Sequence, residues 1–157
     1  MTITFIQIDK TQDSYLNEGI DIYTKRLKNY CTLEIKTINV PKNIRLKSEP
    51  EQKQAEASMI LKEIKPSDYL VVLDENGKQM GSFDFSKFIS QKQNAGLKRL
   101  VFLIGGPFGF DREVYDRADF KLGLSQMTFS HQMVRLFFME QLYRAYSILA
   151  GEKYHHF

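Results

Sequence analysis

Two uninterrupted apolar runs, residues 69–73 and 100–104, constrain the fold of this chain more than any other feature of its sequence. A strand that is apolar at every position has to be covered on both faces, as in a parallel sheet between layers of helices. The rest of the chain alternates strand-like and helix-like segments. The pattern predicts an α/β fold with an open, mostly parallel five-stranded sheet flanked by helices.

Local signals predict the remaining elements. Ser48 and Glu51 form a capping box with Pro50 in the first turn, which predicts a helix from there to about residue 64. Apolar periodicity predicts another helix over residues 13–30. The other predicted elements are strands over 2–8, 32–40 and 120–124, helices over 84–95, 111–118 and 131–150, a turn at 74–77 and a basic loop at 41–50.

Composition limits the class of protein. The chain has 157 residues, of which 43% are hydrophobic and 26% charged, which predicts a single folded domain over 1–157 and excludes a disordered chain. Its one cysteine, Cys31, allows no internal disulfide, and its three histidines lack the spacing of a structural metal site. Neither a signal peptide nor a membrane span is evident, so we expect a cytoplasmic protein. The net charge of +3 permits an anionic partner such as RNA without requiring one.

A glycine-rich segment, residues 104–109 (IGGPFG), directly follows one of the apolar runs. Ligands of open parallel sheets bind beyond the carboxyl ends of the strands, which directs attention to the loops after Leu73, Ile104 and Leu124. Glycines there allow a ligand to approach the backbone closely. The alternative is an ordinary tight turn from strand to helix. The segment has neither the lysine of a Walker loop nor the spacing of a dinucleotide fingerprint.

The polar loop 124–131 joins the last predicted strand to the long C-terminal helix. Ser130 is typical of a helix cap. His131 lies at the helix start, where the positive end of the helix dipole disfavours imidazolium, so a neutral imidazole able to accept a proton is expected. The alternative for His131 is a surface or capping residue without a chemical role.

The C-terminal helix, 131–150, is apolar on all sides, which indicates burial on all sides and therefore a partner subunit. Its apolar residues are Met133, Val134, Leu136, Phe137, Phe138, Met139, Leu142, Tyr143, Tyr146, Ile148 and Leu149. Glu140 and Arg144 are spaced as an i,i+4 pair, and His131 and Arg135 lie one turn apart. The pair could simply stabilise the helix, but charged groups on an apolar helix are costly to bury, which favours a functional or interfacial role.

The tail that follows Gly151 contains Tyr154, His155, His156 and Phe157. Chain ends are usually frayed and unspecific in composition. Aromatic and hydrogen-bonding side chains can instead stack on or bond to nucleic-acid bases. Two adjacent histidines do not point at one metal ion, so metal binding is not expected.

Five segments, in this order and spacing, carry a resemblance to a known family over essentially the whole chain. They are residues 70–74 (LVVLD), 102–109 (FLIGGPFG), 124–135 (LSQMTFSHQMVR), 140–145 (EQLYRA) and 154–155 (YH). The chain resembles the RlmH-type methyltransferases of the SPOUT superfamily, which methylate N3 of a pseudouridine in bacterial 23S rRNA. It departs from them at Ser130, where a proline is common, and at His156, where a basic residue is common.

The resemblance implies a trefoil knot that holds S-adenosylmethionine, a homodimer packed through the C-terminal helix, and 23S rRNA in the ribosome as partner, with no role for DNA, a membrane or a metal. The implied cofactor-binding residues are Leu73, Gly105, Gly106, Leu124, Ser125, Gln126, Met127, Thr128 and Phe129. The implied catalytic residues, bordering the substrate base, are His131, Arg135, Glu140, Arg144, Tyr154 and His155.

These residues are compatible with methyl transfer from a sulfonium, which needs in-line positioning and removal of the N3 proton. His131, or a water that it orients, is the first candidate for the base. Arg135 or Arg144 is a candidate for stabilising charge on the flanking carbonyls. Two alternatives stay open: a non-catalytic RNA- or ribosome-binding module on the same scaffold, and a nucleotide-phosphate enzyme that uses residues 105–109 as a phosphate loop.

Overall fold

The computed structural model describes residues 1–157 and contains five strands and six helices. The strands are β1 (Thr2–Ile8), β2 (Thr32–Ile38), β3 (Tyr69–Gln79), β4 (Arg99–Ile104) and β5 (Phe120–Gly123). The helices are α1 (Ser14–Leu27), α2 (Lys42–Arg45), α3 (Glu49–Lys62), α4 (Ser82–Asn94), α5 (Arg112–Arg117) and α6 (Met133–Leu149). All strand pairs are parallel and form one sheet in the order β2-β1-β4-β3-β5, which confirms the predicted fold class.

Helices cover both faces of the sheet, as the apolar strands require. On one face, Phe102 of β4 packs against Phe138 of α6 with ring centroids 4.7 Å apart, in a core that also includes residues of α1 and α4. On the other face, Val101 and Leu103 pack with residues of α3 and α5. Neighbouring residues of β4 thus point to opposite layers, and both sets are completely buried.

Local capping signals act as predicted. Ser48 accepts a hydrogen bond from the Glu51 N–H at 3.4 Å, and Asp111 accepts one from the Glu113 N–H at 3.2 Å, so both begin their helices. Gly96 and Gly151 follow α4 and α6 with φ of 79° and 72°, the left-handed conformation that ends helices. No helix is both long and apolar enough to cross a membrane.

Several sequence-based boundaries were wrong, among them the helix predicted over 13–30, which ends as α1 at Leu27. The predicted loop 41–50 contains α2, a single turn. The predicted helix 131–150 begins as α6 only at Met133, because residues 131–132 form a turn. The predicted turn at 74–77 belongs to β3, which continues to Gln79. Its turn chemistry is present, since the Asn76 N–H donates to the Asp74 carboxylate at 2.8 Å, but the segment stays extended against β5.

β3 passes β5 at very close range. Leu122 of β5 pairs with Leu73 and again with Lys78, so residues 74–77 of β3 form an irregularity in the pairing with β5. A Cβ on Gly77 would lie 2.6 Å from the Leu122 carbonyl carbon. Only glycine permits two backbones to approach this closely. The crossing brings the carboxyl ends of β3 and β5 together at one edge of the sheet.

Candidate active site

A cavity of about 500 Å³ opens at the carboxyl ends of β3, β4 and β5. The loops after Leu73, Ile104 and Leu124, which the parallel-sheet argument singled out, all line it. The structure places every predicted cofactor-binding residue on its wall except Gln126. Those on the wall are Leu73, Gly105, Gly106, Leu124, Ser125, Met127, Thr128 and Phe129.

The wall combines apolar side chains with unpaired peptide groups. Leu73, Ile104 and Leu124 supply apolar surface. Among the backbone N–H groups of residues 125–129, only that of Met127 donates a hydrogen bond within the chain, to Ser125 Oγ at 3.0 Å. A flat heteroaromatic ring needs an apolar slot with peptide groups at its edge, so this wall fits a nucleoside.

Two hydrogen bonds join β3 to the other walls of the cavity. Tyr115 of α5 donates to the Asp74 carboxylate, and Thr128 donates to the Glu75 carboxylate. Burial, reinforced by Asp74, raises the pKa of the Tyr115 hydroxyl, so it stays protonated and a donor. Asp74, Glu75 and Tyr115 were not among the predicted site residues. The position of Asp74 directly after a buried strand was the available signal.

His131 lies on the cavity rim, in the turn that precedes α6. Ser130 caps this turn, because its Oγ accepts a hydrogen bond from the Met133 N–H at 3.0 Å, as expected of a cap. Burial, and then the positive charge of Arg135, hold the pKa of His131 below its ordinary value of 6.5. The imidazole is therefore neutral at neutral pH and able to accept a proton.

Arg135 is fully buried and does not line the cavity. Its guanidinium donates to the His131 carbonyl at 3.1 Å and to the Ile8 and Asp9 carbonyls at 2.6 and 2.9 Å. Burial lowers its pKa to about 10, so it remains charged. In this geometry Arg135 contacts the backbone of His131 and does not reach the cavity, where the predicted charge-stabilising role would require it.

The other four predicted catalytic residues form a second group, which we call the tail cluster: Glu140, Arg144, Tyr154 and His155. Glu140 Oε1 accepts hydrogen bonds from Arg144 at 2.5 Å and from the Tyr154 hydroxyl at 2.9 Å. The remaining guanidinium edge of Arg144 lies 3.2 Å from His155 Nδ1. Burial, with Tyr23 and Glu140, raises the pKa of Tyr154, so its hydroxyl stays protonated.

The chain end is docked rather than frayed. Tyr30, in the turn after α1, donates a hydrogen bond to the Glu152 carboxylate at 2.6 Å, and Phe157 packs edge-on against Phe83 of α4. His156 is exposed. These contacts hold the tail cluster in place against α1, α4 and α6.

The tail cluster and the cofactor-sized cavity are separate within one chain. None of the tail cluster lines the cavity that His131 borders. Thirteen residues separate His131 from Arg144, a rise of roughly 20 Å along a helix. Glu140 borders a second cavity of about 510 Å³, which shares Leu122, Leu124 and Phe129 with the first. One chain therefore does not bring all six predicted catalytic residues to one point.

Part of α6 faces outward. Phe138, Met139 and Leu142 are completely buried, whereas Phe137 and Leu149 are 41% and 42% exposed. A contiguous apolar patch on a surface is typical of a contact surface, whereas single exposed apolar side chains are common. The predicted covering of this face by a partner subunit stays a prediction.

The chain is similar to known proteins over its whole length. A family described as "Predicted SPOUT methyltransferase" matches residues 1–155. Proteins named ribosomal RNA large subunit methyltransferase H are 53% identical in Christiangramia forsetii, 51% in Flavobacterium psychrophilum and 49% in Parabacteroides distasonis. Each alignment spans 156 residues and covers 99% of both chains.

The fold is also similar to that of a solved structure. A probable methylase family protein from Haemophilus influenzae superposes with a TM-score of 0.51 at 10% sequence identity. The match covers 99% of this chain and 70% of the other. At this identity the likeness concerns the fold alone.

Proposed function

The chain belongs to the SPOUT methyltransferase family, and on that premise we propose that it methylates N3 of a pseudouridine in 23S rRNA with S-adenosylmethionine as methyl donor. The observation that carries the proposal is the cavity at the carboxyl ends of β3, β4 and β5 with a neutral imidazole on its rim. Family membership also implies the trefoil knot, in accord with the close crossing of β3 and β5.

The cavity residues support S-adenosylmethionine as the cofactor. Leu73 and Leu124 would sandwich the adenine, and the free N–H groups of the 125–129 loop would bond to its edge. The Asp74 and Glu75 carboxylates would favour the cationic end of the molecule. When bound, the sulfonium supplies an already activated methyl group.

His131 is the residue we assign to the N3 proton. A general base has to be unprotonated at the working pH and has to reach the proton that it removes. The depressed pKa of His131 meets the first condition, and its place on the cavity rim meets the second. Arg135 donates to the His131 carbonyl, and Ser130 accepts the Met133 N–H at the other end of the same turn.

We place the tail cluster at the active site of the other subunit of a homodimer. Its separation from the cavity within one chain, and the outward face of α6 at Phe137 and Leu149, support this arrangement. Arg144 would then stabilise negative charge on the base carbonyls, with Glu140 holding it in orientation. Lysines and arginines of both subunits, each with a net charge of +3, would contact phosphates.

The decisive experiment is methyl transfer to ribosomes. Purified protein is incubated with methyl-labelled S-adenosylmethionine and unmodified large subunits or whole ribosomes, and the labelled nucleoside is identified by mass spectrometry. We expect N3-methylpseudouridine and its loss with His131→Asn. Calorimetry with S-adenosylmethionine and with ATP separates the alternatives: binding of neither favours an RNA-binding module, and binding of ATP alone favours a phosphate loop.

The dimer is tested by sedimentation at micromolar concentration, where we expect about twice the 18.4 kDa of one chain. Phe137→Asp should weaken association. Leu46→Asp is the matched control, because Leu46 is 88% exposed but follows α2, away from α6. A monomeric parental protein with full activity would contradict the arrangement.

Subunit mixing tests which chain supplies the tail cluster. A heterodimer pairs one His131→Asn chain with one chain lacking residues 154–157. If each site uses the cavity of one subunit and the tail of the other, one of the two sites is intact and activity survives. If each site lies within one chain, both sites are defective and the heterodimer is inactive.

The predicted cytoplasmic location stays a prediction.

A further inference from the structure

Asp9, at the end of β1, has a backbone conformation that no other non-glycine residue of the chain shares. Its φ is 60°, in the left-handed region. L-residues avoid this region, although aspartate and asparagine tolerate it better than most. Such a conformation persists only where the surroundings hold it, and it is common at functional sites. The contacts of Asp9 show both what holds it and what it does.

Three contacts pin Asp9 to β2 and α2. Its N–H donates to the Ile38 carbonyl at 2.8 Å. Its carboxylate accepts the Val40 N–H at 3.0 Å and pairs with the Arg45 guanidinium at 2.5 Å. The Asp9 carboxylate therefore takes the place of the main-chain acceptor that a continuing strand would offer to the Val40 N–H. This bond fixes the left-handed turn.

The turn directs main-chain carbonyls at Arg135. The two terminal nitrogens of Arg135 donate hydrogen bonds to the Ile8 and Asp9 carbonyls, at 2.6 and 2.9 Å. The nitrogen that bonds to Asp9 also donates to Thr11 Oγ1 at 3.0 Å. The Nε of Arg135 is left to donate to the His131 carbonyl at 3.1 Å. Arg135 is completely buried, so these bonds face no competition from water. A continuous set of hydrogen bonds thus runs from Asp9 to the backbone of His131.

We infer that Asp9 is a positioning residue for methyl transfer: its left-handed turn anchors Arg135, and Arg135 holds His131 at the rim of the cavity. The inference rests on the proposed function and adds to it a residue outside the cavity. Reacting groups have to be held within a fraction of an ångström, and displacements at a distance can lower rates up to about a hundredfold.

Two substitutions separate geometry from charge. Asp9→Asn keeps an acceptor for the Val40 N–H and tolerates the left-handed region, whereas Asp9→Ala keeps neither. In mildly alkaline buffer, where His131 is neutral in both variants, we expect Asp9→Ala to lower kcat on ribosomes about tenfold or more. The kcat of Asp9→Asn should stay within about threefold of the parental value. The Kd for S-adenosylmethionine should change little in either variant, because Asp9 does not line the cavity.

Asp13→Ala is the matched control, because Asp13 is an exposed aspartate four residues further on whose side chain caps no N–H. Equal kcat values for Asp9→Ala and Asp9→Asn would overturn the inference. If Asp9→Ala does not fold, Thr11→Val removes one acceptor of Arg135 with little change in shape, and an unchanged kcat there would overturn it as well.

The ring signals of His131 in NMR spectra give a readout that does not depend on methyl transfer. They should shift in Asp9→Ala and stay near the parental positions in Asp9→Asn and Asp13→Ala. Unshifted signals in Asp9→Ala would refute the positioning role even if the parental protein is active. A parental protein that methylates no RNA but shows the expected shifts would refute the proposed function alone.

Discussion

Gly123 lies so close to Gly77 that a Cβ on Gly123 would sit 2.7 Å from the Gly77 carbonyl oxygen and 3.2 Å from that of Asp74. Both neighbours are backbone atoms, which cannot rotate away as a side chain can. The two glycines let β3 and β5 approach this closely, beside the Asp74 and Leu124 sides of the cavity.

Gly123→Ala should therefore destabilise the protein by about 1–3 kcal/mol or more, as overpacking does. The measurement is the midpoint of urea unfolding. Gly81→Ala is the matched control, because nothing lies within 4 Å of a Cβ at Gly81 and its φ of −71° suits any residue. Equal urea midpoints for the two variants would show that the backbones of Gly123 and Gly77 lie further apart than in the structure.

The elements were predictable where short-range physics decides them. The capping serine at 48, the acidic cap at 111 and the two apolar runs all specify local structure, and the sheet followed from them. The crossing was not predictable. Residues 74–77 have turn chemistry, and nothing in their composition indicates the close approach of β5 to Gly77.

The site was predictable in the same uneven way. The loops met at one cavity because parallel strands end on one edge, and Glu140 and Arg144 paired because of their helical spacing. The burial of Arg135 was not predictable, because it bonds to Ile8 and Asp9 carbonyls more than a hundred residues away in sequence. Every residue has a backbone carbonyl, so the sequence does not show which of them accept hydrogen bonds from Arg135.

A methyl group on Gly105 should disturb the cavity through Phe110. A Cβ at Gly105 would lie 2.9 Å from two atoms of the Phe110 ring, which is buried and also lines the cavity. We expect Gly105→Ala to lower the affinity for S-adenosylmethionine about tenfold and the free energy of unfolding by about 1–3 kcal/mol. Calorimetry and urea unfolding measure the two effects.

Gly81→Ala is again the control, because nothing lies within 4 Å of a Cβ at Gly81 and Gly81 does not line this cavity. It should bind the cofactor within a few fold of the parental protein. If Gly105→Ala binds S-adenosylmethionine as tightly as the parental protein does, the Phe110 ring moves freely and that wall of the cavity is not rigid.

The single-turnover rate should depend on pH through His131. A neutral base is needed, so the rate rises with pH through the pKa of His131, and burial and Arg135 place that midpoint below 6.5. The negative charge of Asp9 raises this pKa, so Asp9→Asn should move the midpoint to still lower pH. A parental midpoint above 6.5, or an identical acid limb in His131→Asn, would exclude His131 as the titrating base.

Deleting residues 154–157 should separate cofactor binding from catalysis. The deletion removes the Tyr154 hydroxyl from Glu140 and His155 from Arg144, but it touches no residue of the cavity that His131 borders. The Kd for S-adenosylmethionine should therefore stay within a few fold. Base stacking contributes roughly 1–3 kcal/mol, and about 1.4 kcal/mol is tenfold in rate, so methylation of ribosomes should fall about tenfold or more.

Point substitutions in the tail divide that loss between stacking and orientation. Tyr154→Phe keeps the ring over Arg144, whose guanidinium carbon lies 4.7 Å from the ring centre, but removes the donor to Glu140. It should therefore lose less activity than the deletion. His156→Arg should be neutral or mildly activating, because His156 is exposed and makes no hydrogen bond within the chain. A truncated protein that methylates ribosomes at the parental rate would show that the tail merely docks against α1 and α4, and that Glu140 and Arg144 work without it.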